Sequence, residues 1–376
     1  MYTFRPLSLK QKINILTENA KYDLSCSCGE GSHRIRNADR WFYPAVLPNG
    51  RTVILLKILQ TTVCENDCKY CPLRKDRKAK RTYISPEELA KITYLLYKKK
   101  KIMGLFLSSG VIDNPIKTET KMIDTVKILR KKYNFKGYIH LKILPNVDLQ
   151  SIETAIKLST RVSLNLESPT HQGLKEISSK KDFYKMLKTI KTIDRILKFR
   201  NKGSMTTQFI VGAGREKDKD YVDKIFEFYN NYRISRIYFS AFQPIQNTPL
   251  ENKNPASPIR EHRLYQVDFL VRKYGFSKED IIYKEDGNLD LGIDPKLVWV
   301  KKNLNNFPIE INSAPYDLLL RIPGIGPKTA KKIIKVRKKF RISSTAMLIK
   351  LGVSLKKSSE YVLIDGKKIP VTKSLF

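Results

Sequence analysis

Cysteine and histidine are scarce in this sequence, whose 376 residues include 5 Cys and 4 His. A disulfide scaffold is therefore excluded, since such proteins are small and rich in cysteine. Long apolar runs are also missing, because the longest, such as 52–59, have the length of a strand and contain Lys57. The first residues lack the apolar block of a signal peptide. We expect a cytoplasmic protein with reduced cysteines and no membrane span.

Acidic residues are half as frequent as basic ones. The sequence has 36 Asp and Glu against 72 Lys and Arg, which gives a formal net charge of +36. An excess of this size favours a polyanionic partner, and nucleic acid is the simplest. The alternative is a solvated lysine-rich surface without a specific partner.

Apolar β-type runs alternate with helical patterns through the first two thirds of the chain. Such alternation predicts parallel βαβ units with right-handed crossovers in an α/β fold, as a barrel-like or doubly wound sheet. The active site of either sheet lies at the carboxyl ends of the strands. The predicted strands are 53–59, 103–108, 137–144, 161–167, 206–212 and 236–242.

The alternation stops near residue 250, and the sequence becomes more helical and more basic. We therefore predict three segments. They are an N-terminal extension at 1–50, the α/β core at 51–285 and a small all-helical domain at 286–376.

Three of the few cysteines stand together directly after the first predicted strand, as Cys64, Cys68 and Cys71. Thiolates suit zinc and iron–sulfur clusters. Structural zinc requires four ligands, and no histidine is near. A cubane cluster bound by three cysteines keeps one iron open for chemistry. A structural cluster, a zinc site or buried reduced thiols are the alternatives.

The C-x-x-x-C-x-x-C spacing after a first strand, with aromatic Tyr70 before the last cysteine, resembles the radical S-adenosylmethionine (radical SAM) superfamily over about 51–250. The resemblance implies a partial barrel of six βα units and a 4Fe–4S cluster bound by Cys64, Cys68 and Cys71. It also implies that the open iron binds S-adenosylmethionine, which an electron splits to a 5′-deoxyadenosyl radical. A donor such as ferredoxin or flavodoxin would supply that electron.

The same resemblance implies further contacts with S-adenosylmethionine at the strand ends. An acidic residue that relatives carry after the second strand is absent here. The implied contacts beside Tyr70 are Ser108, Ser109 and Gly110 near the methionine amino group, Asn165 and Glu167 near the ribose or carboxylate, and Gly212 near the adenine.

The remaining cysteines, Cys26 and Cys28, stand near His33. Together they are too few for a second cluster, although an auxiliary metal site or a cap on the barrel mouth is possible. No catalytic residue stands out in the sequence. Tyr43, Cys26 and Cys28 are the candidates for a hydrogen donor to a product radical.

A second motif occupies 318–334, with the sequence LLLRIPGIGPKTAKKII. Glycines in this turn leave backbone amides exposed at the start of a helix, which forms a phosphate cradle. The pattern resembles the helix-hairpin-helix family, and this resemblance implies sequence-tolerant contact with the DNA backbone. A protein-binding or purely structural hairpin is the alternative. The predicted contacts are Gly324, Ile325, Gly326, Lys328, Thr329, Lys331 and Lys332.

The two motifs together resemble one family over nearly the whole chain, that of radical SAM proteins of DNA modification or repair. This resemblance implies an enzyme that acts on DNA. One alternative is a radical SAM enzyme that modifies RNA, such as tRNA. The other is a non-enzymatic DNA-binding protein with a structural iron–sulfur cluster.

Overall fold

The computed structural model describes residues 7–22, 42–46 and 52–370, so Cys26, Cys28 and His33 lie outside the described residues. The chain forms two compact units. The first contains the described residues up to Glu216 together with Glu227–His262, and the second contains Lys217–Phe226 and the residues from Arg263 onward. The predicted boundaries at 50 and 285 stay predictions. No helix in the described part of the chain is long and apolar enough to span a membrane.

The first unit is built on one curled sheet of seven strands, in the order β1 to β7. Strands β2 to β7 are parallel to one another, and β1 is antiparallel to β2. The predicted α/β class and partial barrel are therefore confirmed. The strands are β1 (Phe42–Val46), β2 (Thr52–Leu59), β3 (Gly104–Ser108), β4 (Tyr138–Lys142), β5 (Arg161–Ser163), β6 (Met205–Val211) and β7 (Ile234–Ala241).

Helices follow the strands as the alternation predicts. Ser85 caps α2 in a capping box with Glu88, and Pro86 is the first helical residue, as the sequence predicts. The helices α7 and α8 each have residues in both units. Among the described residues up to 274, the α-helices are α1 (Leu9–Asn19), α2 (Pro86–Lys98), α3 (Pro115–Lys127), α4 (Leu149–Leu158), α5 (His171–Ile177), α6 (Phe183–Arg200), α7 (Asp218–Asn231) and α8 (Pro258–Tyr274).

The second unit is mainly helical, with three short strands that the sequence does not predict. Its core contains the fully buried Ile311, Ile322, Ala330 and Ile333. The helices are α9 (Pro295–Lys302), α10 (Tyr316–Arg321), α11 (Pro327–Arg337), α12 (Thr345–Leu351) and α13 (Leu355–Ser358). The strands are β8 (Ile309–Glu310), β9 (Val362–Ile364) and β10 (Lys367–Lys368).

Candidate active site and nucleic-acid interface

The three clustered cysteines lie on the loop that follows β2, which we call the cysteine loop (residues 63–73). Cys64 and Cys68 are buried, Cys71 is half-buried, and all three are free thiols. The chain after β2 stays beside the chain after β3, because the Glu65 N–H donates to Val111 O at 2.9 Å. The loop therefore begins at the carboxyl end of the sheet, where the fold class places active sites.

A cavity of about 120 Å³ lies between the cysteine loop and the carboxyl ends of the strands. Ser108 and Gly212 do not line it, and their predicted contacts with S-adenosylmethionine stay predictions. The lining includes eight of the residues that the sequence predicts, namely Cys64, Cys68, Cys71, Tyr70, Ser109, Gly110, Asn165 and Glu167.

Ser109 and Gly110 fit the cavity for different reasons. The Ser109 hydroxyl oxygen is buried and has no hydrogen-bond partner among the described residues, so it can bond a polar group of a ligand. At Gly110 an added Cβ would lie 2.1 Å from Val63 O and 3.2 Å from Cys64 Cβ. Glycine is therefore needed because the segment after β3 approaches the segment after β2 closely beside Cys64.

A buried ion pair lies beside the cysteines. The Lys181 ammonium is 2.7 Å from Glu167 Oε1, and their side chains are 9% and 6% exposed. The same ammonium is 3.4 Å from the Tyr70 hydroxyl oxygen. Burial alone would lower the pKa of Lys181, but negative charge at Cys68 and Glu167 outweighs burial and raises it. Lys181 thus places a fixed positive charge near the thiol groups.

Residues 177–181, which we call the clamp segment, hold the middle of the cysteine loop. The Asp67 carboxylate accepts from the Ser178 hydroxyl at 2.9 Å and from the Ser179 N–H at 3.0 Å. Burial raises the pKa of Asp67, but these hydrogen bonds outweigh it and lower the pKa to about 2. The Lys180 ammonium also donates to Glu65 O at 2.6 Å. The loop therefore has a fixed shape before any ligand binds.

Within the ranges that the structure describes, no three His, Cys, Asp or Glu side chains are placed to hold one metal ion. A cubane cluster is bound by thiolates on separate irons, so its ligands need not meet at one point. Burial raises the pKa of the Cys64 and Cys71 thiols, so binding of a metal or cluster to them must release their protons.

Several cavity residues are not identified by the sequence reasoning. Lys142 ends β4, Gln208 belongs to β6, and Asn19 belongs to α1. Lys142 lies between the buried Leu141 and Ile143, so the period of two marks it as facing the other way, whereas Gln208 belongs to a strand that is buried throughout and gives no such signal. Lys181 gives no local signal, because the run Ser178–Asp182 has the composition of a solvated loop.

The hairpin of the second unit joins α10 to α11. Gly324 has a φ of +81°, which favours glycine, and an added Cβ would lie 3.0 Å from Ser354 O. Gly326 is the N-cap residue of α11, and no side chain caps that helix start. The N-cap residue therefore gives the first amides of α11 no side-chain acceptor, an arrangement that suits a phosphate cradle.

The predicted hairpin residues differ in their exposure. Ile325 is 1% exposed, and its N–H donates to Ile322 O at 3.2 Å within the turn. Thr329 is half-buried, and its hydroxyl donates to Gly352 O at 3.3 Å. The exposed cations beside the helix start are Lys328, Lys331 and Lys332.

A buried lysine supports the turn from below. The Lys296 ammonium donates to Ile325 O at 2.8 Å and lies 4.8 Å from the centre of the Tyr274 ring. Burial lowers the pKa of Lys296 to about 7. Both residues line a groove of about 570 Å³ beside the hairpin, together with Lys356, Lys357 and Tyr361.

Comparison with known families matches both motifs. Residues 58–228 match the Radical SAM superfamily, and residues 305–350 match the helix-hairpin-helix motif. One curated relative is the threonylcarbamoyladenosine tRNA methylthiotransferase MtaB of Thermotoga maritima, 24% identical over 56% of this chain and 48% of the relative. Another is a biotin synthase of Buchnera aphidicola subsp. Schizaphis graminum, 25% identical over 56% of this chain and 60% of the relative.

Solved structures are similar at lower identity. Methylornithine synthase (PylB) shares 16% identity over 56% of this chain and 61% of that chain, with a TM-score of 0.47. The FeFe-hydrogenase maturase HydG from Carboxydothermus hydrogenoformans shares 15% identity over 57% of this chain and 50% of that chain, with a TM-score of 0.45.

The chain spans less than two thirds of the length of the curated relatives it matches. Both resemblances that the sequence motifs indicate are nevertheless confirmed. Members of the matched superfamily use a 4Fe–4S cluster and S-adenosylmethionine. This chain therefore contains a domain of the Radical SAM superfamily, a superfamily of enzymes, together with a helix-hairpin-helix motif.

Proposed function

We propose that this protein is a radical SAM enzyme that acts on DNA in modification or repair. The observation that carries the enzymatic part is the position of three free cysteines on one cavity at the carboxyl ends of the strands. The part that concerns DNA is supported by the hairpin and by the formal net charge of +36.

In this proposal, Cys64, Cys68 and Cys71 hold the 4Fe–4S cluster, and one iron has no protein ligand. When bound there, the cluster would pass one electron to S-adenosylmethionine, which would give methionine and a 5′-deoxyadenosyl radical able to take a hydrogen atom from the substrate. The buried positions of Cys64 and Cys68 limit the access of water to this chemistry.

The other cavity residues orient S-adenosylmethionine. The Ser109 hydroxyl, which has no hydrogen-bond partner among the described residues, is suited to bind a polar group of the cofactor, and Asn165 is 8% exposed at the cavity wall. Glu167 is already paired with Lys181, which supports a role in positioning Tyr70 and Lys181 over a direct contact with ribose.

The hairpin binds the backbone of the nucleic acid in this proposal. Amides at the start of α11 bond a phosphate, and the exposed Lys328, Lys331 and Lys332 add charge beside it. Binding should be tolerant of sequence and sensitive to salt.

A radical SAM enzyme that modifies tRNA is the second candidate. The name of the curated relative MtaB, a tRNA methylthiotransferase, favours it. The basic charge of the chain fits RNA as well as DNA. A non-enzymatic DNA-binding protein with a structural cluster is the third candidate. Its cluster would need a fourth ligand, whereas the cavity offers three cysteines.

The electron donor in this proposal is a ferredoxin or a flavodoxin, and we expect the protein in the cytoplasm. Both expectations follow from the radical SAM chemistry and the free thiols.

The test is anaerobic reconstitution with iron and sulfide, followed by dithionite, S-adenosylmethionine and either damaged duplex DNA or tRNA. We expect 5′-deoxyadenosine together with altered nucleosides from DNA, both measured by mass spectrometry. Altered nucleosides from tRNA alone would favour the second candidate. A cluster-loaded protein that forms no 5′-deoxyadenosine would favour the third.

A further inference from the structure

A basic loop lies at the edge of the cavity. Pro72 and Leu73, directly after the last cysteine of the triad, line the cavity. The next residues, 74–80, form what we call the rim loop, which contains five basic residues and one acidic residue. Lys75, Lys78 and Lys80 are exposed.

The rim loop has a fixed shape although it has no helix or strand. The Arg81 guanidinium donates to four backbone carbonyls, those of Thr62 at 2.6 Å, Leu73 at 2.8 Å, Arg74 at 2.7 Å and Arg77 at 3.0 Å. Such a preorganised loop binds a ligand without the entropy cost of ordering itself.

Two hydrogen bonds of Arg77 and one backbone hydrogen bond between Thr62 and Thr82 also hold the rim loop in place. Arg77 donates to Pro72 O at 3.1 Å and to Gln246 O at 3.0 Å. The Thr62 N–H donates to Thr82 O at 3.0 Å, which joins the residues before the cysteine loop to those after the rim loop. Arg77 and Arg81 thus bond backbone carbonyl oxygens of the protein, and the lysines are the cations that the rim loop presents to solvent.

The charge of this surface is not neutralised locally. Asp76 is the single acid of the rim loop, and it lies 3.2 Å from Arg74 and 3.9 Å from Lys75. Lys78 and Lys80 make no ion pair with any residue that the structure describes. The rim loop therefore offers two to three ammonium groups to an anionic partner.

We propose that the rim loop is a second nucleic-acid contact, which binds the phosphate backbone and presents the target nucleotide to the cavity. This inference rests on the proposed action on a nucleic acid. A substrate that reaches the cavity must pass its edge, and flexible ammonium groups bind a backbone as point charges without reading bases. Contact at the rim contributes to affinity and positions the strand for the reaction, whereas contact at the hairpin contributes to affinity alone.

The first experiment replaces Lys75, Lys78 and Lys80 with alanine in the cluster-loaded enzyme. The matched control replaces Lys98, Lys99 and Lys101, three exposed lysines that lie at the end of α2 and just after it, near the amino ends of the strands. Both variants lose three positive charges. Binding to a fluorescent single-stranded DNA is measured at several salt concentrations.

We expect the slope of log K against log salt, which is negative, to be less steep by about 2 in the rim variant, since each phosphate contact contributes about 0.7 to its magnitude on a single strand. The control should change it by less than half as much. Dithionite-driven cleavage of S-adenosylmethionine without nucleic acid should stay within about twofold of wild type in both variants. Equal slopes for the rim variant and the control would overturn the proposal.

A second experiment uses the wild-type protein, so its result does not depend on whether a variant folds. Saturating single-stranded DNA should protect Lys75, Lys78 and Lys80 from acetylation at least about fivefold, and Lys98 and Lys99 less than about twofold, as measured by mass spectrometry. No protection at the rim would contradict the contact. This readout is independent of catalysis, so it separates the inference from the proposed radical chemistry.

An acidic electron-transfer protein is the competing occupant. If the rim variant binds DNA normally but is reduced by flavodoxin at least tenfold more slowly than the control, the rim loop is a docking site for the electron donor. That outcome would overturn the inference of a nucleic-acid contact.

Discussion

The cavity of the first unit depends on particular side chains, whereas the hairpin of the second unit depends on the backbone. At the cavity, the chemistry requires particular side chains, which Lys181, Glu167 and Asp67 hold in place. At the hairpin, the N-cap residue Gly326 provides no side-chain cap for α11, and in our proposal the first backbone amides bind a phosphate. Substitutions that remove side chains should therefore damage the cavity, and substitutions that add side chains should damage the hairpin.

The sharpest separation of the two sites is Cys68→Ala. We expect loss of the cluster absorbance and of 5′-deoxyadenosine formation below detection, because the cluster loses one of three ligands. Nucleic-acid binding should stay within about twofold of wild type, since the hairpin is unchanged. Iron content, product analysis and a binding titration measure the three quantities.

The matched control for this prediction is Cys28→Ala, which makes the same change outside the triad. It should keep at least most of the cluster. Continued 5′-deoxyadenosine formation by Cys68→Ala, or equal loss of iron in both variants, would contradict the ligand assignment.

The buried pair should show how far the cavity depends on its supporting side chains. Glu167→Gln and Lys181→Met should each lower the free energy of unfolding by about 3–5 kcal/mol, because each leaves a buried polar group without its partner. The double variant should lose less than the sum of the two. Denaturant unfolding of the reduced apo-protein measures the effect, and strict additivity would show that the pair is not coupled.

At the hairpin, Gly326→Val should weaken nucleic-acid binding by about 1.5–3 kcal/mol, or about 10- to 100-fold, by covering amides that bond a charged phosphate. Its φ of −111° and ψ of 176° suit valine, and the added Cβ would lie 3.1 Å from the Tyr274 hydroxyl oxygen, the end of a side chain that can shift, so the turn should still fold. The loss should be uniform across DNA sequences.

Gly292→Val is the control in the same unit, since an added Cβ there would meet one side-chain oxygen at 3.3 Å. It should leave affinity within about twofold. Unchanged affinity for Gly326→Val at low and moderate salt would remove the hairpin from the interface.

At the cavity, a glycine has a different task, and Gly110→Ala tests it. The added Cβ would lie 2.1 Å from Val63 O, so the cysteine loop must move at a cost of about 1–3 kcal/mol. We expect lower cluster content and a lower melting temperature, but normal binding of nucleic acid. Wild-type cluster content would show that the loop tolerates the shift.

Local patterns predict much of the fold, the position of the cavity and the turn of the hairpin. Six runs of apolar residues marked β2 to β7, Ser85 and Pro86 marked the start of α2, and cysteine spacing marked the cavity. These features depend on neighbours in sequence. The glycines of the hairpin belong to the same class, because a turn is set by the residues that form it.

Features that depend on distant partners were not predictable in this way. β1 exists through its pairing with β2, and Lys181 reads as a solvated lysine until Glu167 is beside it. Arg81 looks like one more cation of a basic run, yet it bonds four carbonyls of the chain around it. Ser108 and Gly212 stand at strand ends as predicted, but the strand pattern alone does not decide which of them borders the cavity.

The central claim is that three cysteines hold a cluster and keep one iron free for S-adenosylmethionine. The most direct test is the electron paramagnetic resonance spectrum of the reduced, reconstituted protein with and without S-adenosylmethionine. We expect a spectrum that changes when S-adenosylmethionine is added, followed by 5′-deoxyadenosine formation. A spectrum that stays the same at saturating S-adenosylmethionine, from a protein with four irons per chain, would contradict it.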